Sequence, residues 1–147
     1  RVVPPRLPLH VRRRVRPRLH LWGRVVTTLE LTIPAPCDWL NSNQRLHRMV
    51  HAKRTAAWRA AAKDAAEAHP GWVPFTVPVR IVCTIHKTRG GRWDAGNLYP
   101  TSKACVDGLV DSGLLEDDDN TRVVGPDMRA GEKRAEPCVV VTVEAIA

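Results

Sequence analysis

The stretch RWDAGNLYPTSKACVDGLVDSGLLEDDDN, Arg92 to Asn120, holds a short helix between two groups of acidic residues. Pro100 suits the first turn of a helix and Gly113 suits the position just past its end. Between them Cys105, Val106, Leu109 and Val110 make an apolar face, while Lys103, Asp107 and Asp111 recur at spacing four on the other. A helix of about eleven residues is roughly 16 Å long. Asp94 before it and Asp117, Asp118 and Asp119 after it therefore meet only if the chain folds back. The segment GLLEDDD permits that, because Leu114 and Leu115 can anchor in a core.

Outward from this helix the elements alternate. TTLELTIP sets apolar Leu29, Leu31 and Ile33 against Glu30 and Thr32, the period of an opening strand. Asn43 reads as the N-cap of a long helix from Gln44 to about His69, closed by HPG. Leu46, Val50, Ala57, Ala61 and Ala65 form its apolar side, with Met49 and Trp58 at the margins. Arg45, Arg48, Arg59 and Lys63 fall in a narrow arc opposite, either a solvated face or a nucleic-acid contact. Val77 to His86 is a second strand and KTRGGR a flexible basic loop. RVVGPDM reads as a short strand ending in a turn, RAGEKRAE as a hairpin loop, and PCVVVTVEAI as the last strand. The order predicts a compact single α/β (α+β) domain, a mixed sheet packed by two helices.

The chain has 147 residues, 44% of them hydrophobic, enough for one self-sufficient core. No apolar run approaches the roughly 20 residues that span a bilayer. Cys37, Cys83, Cys105 and Cys138 are scattered without a C-x-x-C pair, and three lie in apolar segments, the pattern of small buried thiols. A reduced, cytoplasmic protein is the expectation. The net charge is +8, yet residues 1–27 carry eight arginines and no acid. From Thr28 onward bases and acids balance at fifteen each. Residues 1–27 are thus set apart as an arginine- and proline-rich, disordered arm or non-native leader, and residues 28–147 as the folded domain.

If the acidic groups converge, they suit a hard divalent cation. Mg²⁺ prefers oxygen ligands, keeps several waters, and uses one or two carboxylates with substrate phosphate oxygens. Lys103 is a point charge able to hold a phosphate or the charge developing on it. An acidic surface loop with an i, i+4 Lys–Asp pair explains the same residues without any function.

Asp94, Asn97, Lys103, Asp107 with the following Gly108 and Leu109, and Gly113 ahead of LLEDDD together resemble the RusA family of Holliday junction resolvases. That family's pattern is D-x-D-N, a helix opened near a Lys and carrying a following Asp, then a Gly and an Asp-Asp pair. NSNQRLH is similar to the family's Asn- and Arg-containing segment after the first strand, and the likeness runs from about Thr28 to the C-terminus. The resemblance implies a small, homodimeric, Mg²⁺-dependent endonuclease of phage or prophage type that nicks opposing strands of four-way DNA junctions. It implies Asp94 and Asp118 as the first and third metal-binding aspartates, with Asp117 beside the latter. Lys103 becomes the catalytic lysine and Asp107 a supporting acid. Lys87, Arg89 and Arg92 join Arg45, Arg48, Arg59 and Lys63 as expected DNA contacts. The final strand, Trp39, Trp58 and Trp93 are candidates for the dimer interface.

Two departures matter. Gly96 stands where the second metal aspartate belongs, giving DAGN, and three extra residues separate Asn97 from Lys103. Loss of that carboxylate should weaken metal affinity, and Asp107, Asp119 or a bound water could replace it. Two other readings accompany the nuclease: a RusA-like module that binds branched DNA without cutting it, and a structural protein with a solvated acidic loop.

Overall fold

The computed structural model describes residues 28–146 throughout. Before them it describes only His20–Leu21 (β1) and Arg24–Val25 (β2), paired antiparallel. Apart from that two-rung ladder, the expected leader over residues 1–27 lies outside the described residues.

From residue 28 on, the elements are β3 (Thr28–Pro34), α1 (Arg48–Ala68), β4 (Val79–His86), a 3₁₀ turn (Ala95–Leu98), α2 (Tyr99–Asp111), β5 (Val123–Ala130) and β6 (Cys138–Ala145). The four long strands form one mixed sheet in the order β3-β6-β4-β5. β6 is antiparallel to both its neighbours, whereas β4 and β5 are parallel. A parallel pair needs a crossover of a dozen residues or more, which the segment containing α2 supplies.

Alternation in the strands decides which face is covered. Leu29–Val143–Ile81, Leu31–Val141–Cys83 and Ile33–Val139–Ile85 align as rows across β3, β6 and β4, and every one of these residues is buried. The intervening rows Glu30–Thr142–Val82 and Thr32–Val140–Thr84 occupy the other face and stay partly or fully open. Both helices join the covered rows in one hydrophobic cluster. The predicted mixed sheet with two helices is what the chain forms.

Five local expectations are corrected. α1 begins at Arg48 rather than Gln44, capped by His47, whose Nδ1 accepts from the Met49 N–H at 3.2 Å. The segment ahead of it is held out of the helix by tertiary bonds and a turn at Ser42–Asn43: Leu40 N–H donates to Thr101 Oγ1 (2.9 Å), Ser42 N–H to the Asn97 carbonyl (2.8 Å) and Gln44 N–H to the Asn41 carbonyl (3.0 Å). Asn43 is therefore no cap, and Arg45 lies outside the helix. The buried stripe of α1 is Trp58, Ala62 and Ala66, while Val50 and Met49 are exposed. Trp58 lies at the centre of the core, stacked on Trp39 at 5.1 Å and donating from Nε1 to the Asp38 carbonyl at 3.0 Å. It is therefore not a dimer contact.

β5 does not stop at its Gly-Pro. The ladder shifts by one residue between Arg80 and Val82, and Gly125 (φ 106°) lies where a Cβ would stand 2.5 Å from the Ile81 carbonyl oxygen. β5 and β6 are not a hairpin either, since β4 lies between them. Elsewhere expectation and structure agree. Pro100 is in the first turn of α2, and Gly113 (φ 80°) follows its end. All four cysteines are free, with Cys83, Cys105 and Cys138 buried. Burial raises the Cys83 thiol to about 11, which leaves it unreactive. Among the described residues no helix is long and apolar enough to cross a membrane.

The helices pack closely at Gly108, where a Cβ would stand 2.2 Å from the Arg59 carbonyl oxygen and 2.8 Å from Ala62 Cβ. Alanine there gains about 1 kcal/mol of helix propensity but must push two backbones apart. Overpacking wins, and Gly108→Ala is expected to destabilise the domain by about 1–3 kcal/mol. A urea midpoint equal to that of the wild type would contradict so close a contact.

Candidate functional site

The acidic segment folds back, as its leucines suggest. Gly113 turns the chain in the left-handed region, and Leu114 and Leu115 enter the core. The Phe75 N–H, donating to the Leu114 carbonyl at 2.9 Å, fixes the turn. Asp118 is thereby returned to the side of α2, where the Lys103 ammonium bonds it and also donates to Asp107 Oδ1 at 2.7 Å.

The three consecutive aspartates have different tasks. Asp117 Oδ1 accepts from the Asp118 N–H at 2.7 Å. Asp118 makes the ion pair. Asp119 Oδ1 accepts from the Thr121 N–H at 2.8 Å and from the Thr121 hydroxyl, shaping the entry to β5. The hydroxyl bond holds the Asp119 carboxyl below its usual range. The bond from Lys103 does the same for Asp118. Burial alone would lower the Lys103 ammonium, but its bonds to Asp107 and Asp118 outweigh that and hold it above an ordinary lysine.

Asp94 has a separate local role. Its Oδ1 accepts from the Gly96 N–H at 2.9 Å, which caps the 3₁₀ turn, and its carbonyl accepts from the Asn97 N–H at 3.2 Å. Ser42 docks on Asn97 from the other side, so the NSN and DAGN segments are neighbours. A Cβ on Gly96 would stand 3.2 Å from Asp94 Oδ1, the movable end of a side chain, and the backbone there is in no strained region. An aspartate at position 96 would thus fit beside Asp94.

The structure therefore joins Lys103, Asp107 and Asp118, and leaves Asp94 on its own turn. Among the described residues no three His, Cys, Asp or Glu side chains form a metal-holding group. The chemistry of the donor set still fits a two-carboxylate Mg²⁺ site. Asp107 and Asp118 stand side by side, and Lys103 bonds one oxygen of each.

The expected DNA contacts divide into two groups. Arg59 is committed to Asp111 across the helix pair, from Nε at 2.5 Å and Nη2 at 2.8 Å. Arg45, Arg48 and Lys63 are exposed, as are Arg89 and Arg92. Lys87 sits 4.7 Å above the Trp93 ring, so Trp93 serves this loop. The sequence reading missed Lys133 and Arg134, which the fold brings beside Lys87 and Gly90. Only the parallel pairing of β4 with β5 would have signalled it.

Compared with known proteins, the chain matches no protein-family model and no curated protein.

The Arg59–Asp111 tie has a definite pH signature. The bond from Arg59 holds the Asp111 carboxyl below the usual range. Its stabilisation is complete above the unfolded value of about pH 4 and is lost as pH falls through the lower folded value. Wild type should exceed Asp111→Asn by up to about 1 kcal/mol at neutral pH, and the two should converge in acid. Urea midpoints measured across that range check it, and a gap that persists in acid would sink it.

Proposed function

We propose that the chain is a Mg²⁺-dependent endodeoxyribonuclease that resolves four-way DNA junctions by paired nicks during recombination and repair. It would act in the cytoplasm as a homodimer, because symmetric nicks need two sites related by a two-fold axis. The observation that carries the reading is the Lys103–Asp107–Asp118 cluster. A buried Leu114–Leu115 anchor draws an acidic turn back so that Asp118 meets a lysine fifteen residues earlier. The RusA-like order of Asp94, Asn97, Lys103, Asp107 and Asp118 gives that cluster its chemical meaning.

Asp107 and Asp118 would hold Mg²⁺, with Asp94, Asp117 and Asp119 as further candidate ligands. Bound there, the ion would polarise a phosphoryl oxygen and make water a better nucleophile. Lys103 is the protein's own cation at the same place. It holds the two carboxylates together through one bond to each, and it can face the negative charge that grows on the phosphate as the P–O bond breaks. Arg92 precedes Asp94 by two residues, so a backbone phosphate held by the 87–92 loop would lie close along the chain to that further candidate ligand.

A second reading, DNA binding without cutting, is favoured by Gly96 at the expected second aspartate. It predicts junction binding that survives EDTA and no nicks in Mg²⁺.

Incubation of a labelled four-way junction and a matching linear duplex with Mg²⁺ or EDTA separates these readings. Paired nicks on the junction alone, and only with Mg²⁺, are expected. Asp118→Asn should remove cleavage and leave junction binding within a few-fold of wild type. Undiminished Mg²⁺-dependent cutting by that variant would show that the site is misplaced. If the wild type binds without nicking, gain of cleavage in Gly96→Asp would identify the missing carboxylate.

A further inference from the structure

β4 and β5 run parallel, so the loops that follow them leave the sheet at the same end. One is the 87–93 loop and the other is the 131–134 turn, more than forty residues later in the chain. Three contacts join the 131–134 turn to the end of β4 and the loop that follows it. The Gly131 N–H donates to the Ile85 carbonyl at 2.9 Å, the Arg134 N–H donates to the Lys87 carbonyl at 2.9 Å, and the aliphatic chain of Lys133 passes 3.8 Å from where a Cβ on Gly90 would lie. His86 supports the turn from beneath. Its ring is buried, its Nδ1–H donates to the Glu132 carbonyl at 2.8 Å, and Gly131 lies so near that a Cβ would stand 2.3 Å from His86 Cε1.

The joined loops carry Lys87, Arg89, Arg92, Lys133 and Arg134 against one acid, Glu132. Glu132 is already engaged by Arg134 at 3.2 Å, and Lys87 faces the Trp93 ring. Arg89, Arg92 and Lys133 are exposed, and among the described residues no carboxylate lies within ion-pair distance of them.

We propose that the 131–134 turn is the second arm of a phosphate-binding ridge, with Lys133 contacting the nucleic-acid backbone beside Arg89 and Arg92. Arginine forks match phosphate oxygens, and the Gly90–Gly91 pair leaves the loop backbone open to close approach. A membrane surface fits less well, because none of the exposed large hydrophobic residues, Met49, Val50, Val77, Tyr99 and Val124, belongs to either loop. The inference rests on the nucleic-acid part of the reading above and requires neither cleavage nor metal. His86 and Gly131 are positioning residues, since they set where Lys133 stands.

The test is equilibrium binding of a labelled four-way junction to the full chain in EDTA, repeated over a range of salt. Each phosphate contact contributes about 0.9 to the slope of log K against log salt. Lys133→Ala should lower the slope by about one unit, whereas Lys53→Ala, an equal charge change on exposed α1, should leave it unaltered. Gly131→Ala keeps every charge but forces the turn off His86, and should weaken binding several-fold while the variant stays folded by thermal unfolding. An unchanged slope in Lys133→Ala overturns the proposal even if Gly131→Ala fails to fold. Absence of DNA binding by wild type also overturns it, as does a Lys133-dependent preference for polyglutamate over DNA, which would mark an acidic protein partner. A lowered slope in a protein that never nicks would uphold the ridge and reject the nuclease.

Discussion

The approach of α2 to α1 at Gly108 is the constraint on which the site depends. The missing side chain lets the α2 backbone reach the carbonyl of Arg59 and the methyl of Ala62. That contact sets the spacing of the two helices over the sheet and places Asp111 within reach of Nε and Nη2 of Arg59. Lys103 and Asp107 share the helix whose position is fixed in this way. A wider spacing would separate the Arg59–Asp111 pair and change where the returning acidic turn meets α2.

Electrostatics around α2 follow from this packing. The helix carries Lys103, Asp107 and Asp111, and each finds an opposite charge on itself or on a neighbouring element. The cost of gathering aspartates after the helix is offset by Lys103 and by local bonds to Thr121. The protein thus supplies a counter-ion of its own at the place where a divalent cation is proposed.

Strand periodicity made the fold largely legible in the sequence. Leu29, Leu31 and Ile33 alternate cleanly, and Val139, Val141 and Val143 answer them across the sheet. The face of α1 was harder to read because alanine occurs all around that helix, so its apolar period is weak and one bulky residue, Trp58, decides the buried side. Asn43 has the local chemistry of a cap, but tertiary bonds to Thr101 and Asn97 override it. The supposed β5–β6 hairpin failed for the same reason, since a polar loop of that length serves equally well to cross over a strand end. Within the site, the return of the acidic turn could be read from the two leucines that anchor it, but its meeting with Lys103 rather than Asp94 could not. The separate position of Asp94 and the approach of Lys133 to Gly90 could not, because both depend on which strands become neighbours.

The order of strands has a consequence for how the chain acquires its shape during synthesis. β6 is the last strand to be made, yet it sits between β3 and β4, the first two long strands. Until it inserts, β3 has no partner in the four-stranded sheet, and the parallel pair of β4 and β5 exposes the edge that β6 will fill. A nascent chain emerging from its N-terminal end can assemble one half of the sheet but cannot close the core over Leu31, Ile33 and Trp58. Folding of this domain is therefore committed late, and the open edge of β4 is the surface most in need of protection from other strands until then.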